Sequence, residues 1–209
     1  MRSSTVVRDV KSNILFHYNY SYYSSIMSYP RTYHPHALSN ADELFQYFSY
    51  HLDRKEYPIR MFGKDLLQPR LVSFYADEWL YYHYSQTTLI WSWWDDKLWQ
   101  LCHEINDSHQ LACNSVLCNL YRDGQDSMWR HSDDEDELGS DPVIVSVTLW
   151  ASRAFKLRHK TTREIVTLML EHGSILVMWP GSQTQREHCI PKTTRLLWPR
   201  INCTFRTII

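Results

Sequence analysis

From Asn114 to the C-terminus the chain breaks into short stretches in which apolar and polar residues alternate: 115–121, 143–149, 153–159, 164–170, 174–179 and 200–208. Successive side chains of a strand point to opposite faces, so each stretch has one face to bury and one to use. Six such segments in about a hundred residues favour two sheets packed face to face, a double-stranded β-helix or jelly-roll core, over a helical architecture.

Upstream the pattern is helical in two places. Asn40 with Glu43 three residues on resembles a capping box, and Leu44, Phe45, Phe48 and Leu52 follow at helical spacing, which predicts a helix over 41–52. Asp95 and Asp96 offer a cap to a second helix, whose Leu98, Leu101, Cys102 and Ile105 form an apolar stripe ending near Asp107. Both helices are expected outside the β core, giving an α+β, mainly β fold. Residues 13–38, rich in Tyr, Ser and His and containing Pro30 and Pro35, read as irregular or short-stranded. Residues 59–64 read as a hairpin tip and 70–75 as a strand. At 209 residues and 44% hydrophobic, the chain supports one sizeable core, hence a single domain over 1–209. Within it, 1–69 forms an N-terminal extension and 70–209 the jelly-roll.

The formal net charge of −1 hides an uneven distribution. Residues 1–150 hold 12 Lys+Arg against 20 Asp+Glu, and 151–209 hold 10 against 3, so the two parts carry −8 and +7. The C-terminal excess suits a phosphate backbone or a small dianion, although a pI near 6.8 is not that of a dedicated duplex binder. Five cysteines with no C-x-x-C pair and no disulfide-scaffold spacing point to free thiols in a reducing compartment. Residues Met1 to Val10 contain no apolar h-region, and no apolar run approaches spanning length. The expectation is an intracellular protein, cytoplasmic in a bacterium or nuclear in a eukaryote, with no membrane association.

Two features carry chemistry. In an extended segment His131 and Asp133 point to one face, and with a His188 arriving from another strand they could meet one metal. Two imidazoles and a carboxylate suit an iron site with open positions. Alone the pattern is weak, because the chain has eleven histidines and Asp133 opens an acidic run, Asp133 to Glu137, that would also suit a solvated loop. The second feature is the strand Arg200-Ile201-Asn202-Cys203-Thr204-Phe205-Arg206. Its alternation turns Ile201, Cys203 and Phe205 to a core and Arg200, Asn202, Thr204 and Arg206 to the other face. An amphipathic strand with its polar side in water is the plain alternative. Such a strand has no need of Asn and Thr between two arginines, whereas a dicarboxylate does. Asn119 and Tyr121 share one face of an earlier strand, just before a turn at Arg122-Asp123-Gly124, and could reach the same ligand.

From about Arg70 onward the chain resembles the AlkB family of nucleic-acid dealkylating dioxygenases, its eukaryotic-type DNA repair members above all. The stretches that carry the resemblance include Pro69-Arg70-Leu71, Asn114 to Gly124, His131 to Glu135, Ala151 to Lys160, His172-Gly173-Ser174, His188 to Lys192 and Pro199 to Arg206. The last is the most specific. The resemblance implies that His131, Asp133 and His188 hold Fe(II), and that Asn119, Tyr121, Arg200, Asn202, Thr204 and Arg206 bind the co-substrate 2-oxoglutarate. Arg200 would meet its distal carboxylate and Arg206 its iron-chelating end. O₂ is the other co-substrate. Phe62, Gly63 and Lys64, with Met61, match the family's base-probing hairpin, Tyr82 and Tyr84 the aromatic wall around a flipped base, and Asp134 and Glu135 would face that base. An aromatic and acidic lining suits a methylated adenine or cytosine that carries positive charge.

The implied activity is oxidative demethylation of 1-methyladenine and 3-methylcytosine by direct reversal, performed by a monomer on single- or double-stranded alkylated DNA, with RNA as a further substrate. A catalytically impaired nucleic-acid binder and a dioxygenase acting on RNA or protein are the alternatives. The chain departs from the family near the iron. Trp129 and Arg130 replace a Gly and an aromatic, Trp150 replaces a Gly, Arg186 replaces an aromatic, and Trp179-Pro180 replaces a basic-Gly pair. Compensated repacking is the expectation, since the ligand positions themselves are all present.

Overall fold

The computed structural model describes residues 30–61, 64–78, 80, 82–84, 87–89 and 91–209, together with two paired two-residue strands, Val6–Val7 and Phe16–His17. Two antiparallel sheets dominate. The larger has six strands in the order Arg31–His34, Ser174–Met178, Ile144–Trp150, Arg200–Arg206, Ser115–Tyr121 and Leu71–Ala76. The smaller has four, in the order Met128–His131, Arg186–Ile190, Arg153–His159 and Ile165–Leu170.

Alternation along each strand builds two cores. Ile144, Leu117, Leu176 and Met178 of the large sheet meet Met128, Phe155, Leu157 and Ile190 of the small one. On the other face of the large sheet, Val145, Val147, Leu149, Ile201, Cys203 and Phe205 are covered by helices α1 (Ala41–His51) and α2 (Asp96–His109). The jelly-roll with helices outside it is therefore the observed architecture, as the strand count implied. The helices are also tied to each other: Lys97 pairs with Glu43, and the Tyr47 hydroxyl donates to Asp95 at 3.0 Å.

The elements differ from the sequence expectation in a few places. Asn40 precedes α1, but its side chain makes no capping bond, so the capping box does not form; Glu43 turns to Lys97 instead. Asp95 does cap α2, accepting from the amides of Lys97 and Leu98, and the helix runs two residues past Asp107 until Gln110 adopts a left-handed conformation. The last strand ends at Arg206 rather than 208. Alternation does not mark Met128–His131 or Arg186–Ile190, since neither Met-Trp-Arg-His nor Arg-Glu-His-Cys-Ile alternates in polarity; only the metal-ligand reading puts His131 in an extended segment and His188 on another strand, and both are found so. The expected hairpin pairs Pro58–Met61 with Lys64–Leu67, and a second joins Tyr82–Tyr84 to Thr87–Leu89. No described helix is long and apolar enough to cross a membrane.

Candidate active site

Strands Met128–His131 and Arg186–Ile190 bring the histidines together. His131 and His188 are directly paired across the edge of the small sheet, with ring centroids 4.3 Å apart. Asp133 lies between them: its carboxylate oxygens are 3.7 Å from His131 Nε2 and 3.6 Å from His188 Nε2. One ligand atom from each residue falls within a 4.8 Å cluster. His131 Nδ1 sits 2.8 Å from the backbone oxygen of Trp129, which places the ring proton on Nδ1 and makes Nε2 the nitrogen whose lone pair can ligate. Burial, and then the neighbouring His131, push His188 down to about 3, so its imidazole is neutral and able to ligate. Burial would raise the Asp133 carboxyl, but Arg206 and the two histidines outweigh it and hold it below its usual range. Arg206 Nη2 donates to Asp133 Oδ1 at 3.1 Å.

All seven residues of the Arg200–Arg206 strand are buried, so its polar face looks into the space between the sheets and not into water. Thr204 Oγ1 donates to the oxygen of Leu117, Asn202 Nδ2 to Ser146 Oγ and the oxygen of Val147, and Arg200 Nη2 to Thr148 Oγ1 at 2.8 Å. Arg200 is completely enclosed, yet its Nε and Nη1 have no hydrogen-bond partner, and no carboxylate pairs with it among the described residues. Burial pushes its guanidinium down to about 10, with nearby Tyr121 partly offsetting the effect. The Tyr121 hydroxyl and Asn119 Nδ2 are buried and unbonded as well. A buried cation without a counter-charge costs several kcal/mol, roughly, unless an anion joins it. These unpartnered donors and the His/Asp/His cluster are what a metal-chelating dicarboxylate requires.

Arg70 and Arg153 complete this region and were not singled out from spacing. Arg70 Nε donates to Asn119 Oδ1 at 2.7 Å, which aims the amide nitrogen of Asn119 the other way. Arg153 donates to three backbone oxygens, and the guanidiniums of Arg153 and Arg200 both lie over the Tyr121 ring, 5.5 and 5.2 Å from its centroid. The only signal for either arginine is that both fall in stretches resembling the AlkB family.

Asp134 is exposed, 4.0 Å from Lys160, while Glu135 is half-buried. Both line a cavity of about 480 Å³ that also touches Asp136, Asp141 and Gln183. Phe62 and Gly63 lie outside the described residues, as do the side chains of Lys64, Tyr82 and Tyr84.

The family departures resolve individually. Two residues separate Met128 from His131 where one separates Ile190 from His188, so Trp129 and Arg130 form a bulge, and Trp129 is 56% exposed. Trp150 has φ +72, which turns it out of the strand's alternation to stack on Phe45 of α1, with ring centroids 5.0 Å apart. Trp179 Nε1 donates to Thr32 Oγ1 at 2.8 Å. Arg186 alone shares a strand face with His188; it is buried and paired with Glu164 at 3.2 Å.

A jelly-roll with two histidines and a carboxylate at one edge, facing a buried arginine strand, is the layout of a non-haem iron oxygenase. Residues 35–206 match the 2OG-Fe(II) oxygenase superfamily. The chain is 40% identical over 151 residues to the mouse alpha-ketoglutarate-dependent dioxygenase alkB homolog 3, covering 68% of this chain and 52% of that protein. It is 36% identical over 186 residues to the human DNA oxidative demethylase ALKBH2, covering 82% of this chain and 70% of that one. The solved structure of OsALKBH1 superposes with a TM-score of 0.62 at 15% identity, covering 87% of this chain and 99% of that one, a likeness of fold. The chain belongs to the 2OG-Fe(II) oxygenase superfamily and, within it, to the AlkB family. It spans about half the length of the homolog 3 proteins it matches.

Proposed function

We propose that this chain is an Fe(II)/2-oxoglutarate-dependent oxidative demethylase that repairs N-alkylated bases, 1-methyladenine and 3-methylcytosine, in DNA by direct reversal. The observation that carries the reading is the fully buried, uncompensated Arg200, on the same strand face as the arginine that holds Asp133. The name of the human relative, a DNA oxidative demethylase, supports the substrate class. His131, Asp133 and His188 would hold Fe(II). When bound, iron with 2-oxoglutarate and O₂ supplies the oxidising power that hydroxylates an N-alkyl carbon.

The chain's own residues bind, orient and exclude water. Arg206 keeps Asp133 ionised and pointed at the histidines. Arg200 Nε and Nη1, the Tyr121 hydroxyl and Asn119 Nδ2 offer four unspent donor atoms to the far carboxylate of the co-substrate. Asn202 and Thr204, already bonded to neighbouring strands, give that strand its rigidity. Asp134 and Glu135, in an acidic cavity beside the ligands, favour a base that carries positive charge. The resemblance assigns Phe62, Gly63 and Lys64 to probing the base stack, and Tyr82 and Tyr84 to walling the flipped base. Trp129 and Trp150 are turned toward the outside and all the ligand positions are kept, which favours a working enzyme over an impaired binder.

An oligonucleotide bearing 1-methyladenine or 3-methylcytosine, incubated with the protein, Fe(II), ascorbate and 2-oxoglutarate, is expected to release formaldehyde and succinate in equal amounts. Succinate without base repair, or no turnover of either lesion, would overturn the substrate assignment. The same lesions presented in RNA and in duplex DNA rank the nucleic-acid preference.

A further inference from the structure

We propose that Gln183 is a positioning residue for Asp133, an inference that rests on the reading of Asp133 as an iron ligand. Asp133 is gripped at both ends. Arg206 takes its carboxylate, and its backbone N–H donates to Gln183 Oε1 at 3.1 Å. Donor and acceptor are both almost wholly enclosed, at 1% and 2% exposure, so water does not substitute for the bond. The amide of Gln183 is itself oriented, because its Nε2 meets Met178 Sδ at 3.7 Å.

The element that presents Gln183 is built to stay put. It is a four-residue helix, Ser182–Gln185, whose Ser182 hydroxyl donates to the oxygen of Pro30 at 2.7 Å and whose Ser182 amide donates to the oxygen of Trp179 at 3.0 Å. It opens at Gly181, with φ +93, where a Cβ would come within 3.1 Å of the Pro30 ring. Next to it, Ser132 Oγ donates to the oxygen of Arg186 at 3.0 Å, two residues before His188. The backbone between His131 and Asp133 is thus fastened to the strand that carries the third ligand and to this helix. Removing the Gln183 acceptor leaves a buried N–H without a partner, and residue 133 must shift to satisfy it. The shift carries the carboxylate away from the two imidazoles.

The test is metal binding without nucleic acid. Mn(II) is titrated by electron paramagnetic resonance into wild type, Gln183→Leu and Gln183→Glu. The charge-transfer absorbance of the Fe(II)–2-oxoglutarate complex is recorded without oxygen for all three. Gln183→Leu is expected to weaken Mn(II) binding by about 10- to 100-fold, the usual effect of losing a partner that orients a ligand, and to shift the absorbance. Gln183→Glu, which keeps an oxygen acceptor at the same reach, is expected to restore most of the affinity. Wild-type binding and absorbance in Gln183→Leu would overturn the proposal. So would equal loss in both variants accompanied by equal loss of thermal stability. A wild type that binds no Mn(II) at all would overturn the iron reading itself, and failure to repair a lesion with metal binding intact would strike only the substrate assignment.

Discussion

Arg200 holds a guanidinium with no exposure, one hydrogen bond to Thr148 and two unbonded nitrogens. The cost of burying that charge is offset when a carboxylate pairs with it. Replacing it with Met keeps most of the volume and removes the charge. A hydrogen bond to a charged group is worth about 1.5–3 kcal/mol, so Arg200→Met is expected to raise the KM for 2-oxoglutarate by about 10- to 150-fold. Mn(II) affinity should stay unchanged, because Arg200 touches no metal ligand. Steady-state kinetics with 2-oxoglutarate varied, beside a Mn(II) titration, checks both halves. At this scale much was legible. Period-2 alternation alone put Arg200, Asn202, Thr204 and Arg206 on one face, and the structure keeps them there. What spacing could not show is that this face is dry, or that Arg206 takes a carboxylate 73 positions away.

Within the elements, Trp150 illustrates how a departure from the family is absorbed. It occupies a left-handed position where glycine carries no penalty, at a cost of roughly 1–2 kcal/mol for an L residue. Stacking on Phe45 returns about 0.5–1.5 kcal/mol, and its amide is satisfied by His172 Nδ1 at 2.8 Å. Trp150→Gly is therefore expected to move stability by no more than about 1.5 kcal/mol and to leave turnover unchanged. Denaturant unfolding and a demethylation assay would show it, and a large gain in activity would mean that the indole does obstruct the cleft. The bulge at Trp129 and Arg130 works similarly, since the extra residue absorbs the bulk on the outside while His131 keeps its register with His188. Neither outcome was readable beforehand, because bulges and positive φ values are decided by what the strand packs against.

For the whole molecule, the site sits where the two sheets face each other, with Asp133 and the histidines at one sheet's edge and the arginine strand in the other sheet. A ligand held by both sheets stabilises the folded chain by mass action. At a hundred times its dissociation constant, 2-oxoglutarate in the presence of Mn(II) should add about 2.7 kcal/mol, or roughly 5–10 °C in Tm for a chain of this size. Differential scanning fluorimetry with and without a chelator measures this, and Arg200→Met should lose most of the increment. The separation of −8 and +7 between the two parts of the chain fits the same layout. The arginine strand and most of the small sheet come from the positive part, and the acidic cavity beside the ligands draws all four of its carboxylates from the negative part.

By itself the sequence determined the strand-rich second half, the two outer helices, the His/Asp/His set and the polar face of the last strand. Each of these is written in local periodicity or residue chemistry, which a chain carries before it folds. Only the tertiary structure decided that His131 and His188 would be cross-strand partners, that Arg200 would be enclosed without a counter-charge, and that Gln183 would reach the Asp133 amide. Those depend on pairings between segments about 50 or more residues apart, whose energy comes from burial and hydrogen bonding that exist only once the sheets have closed.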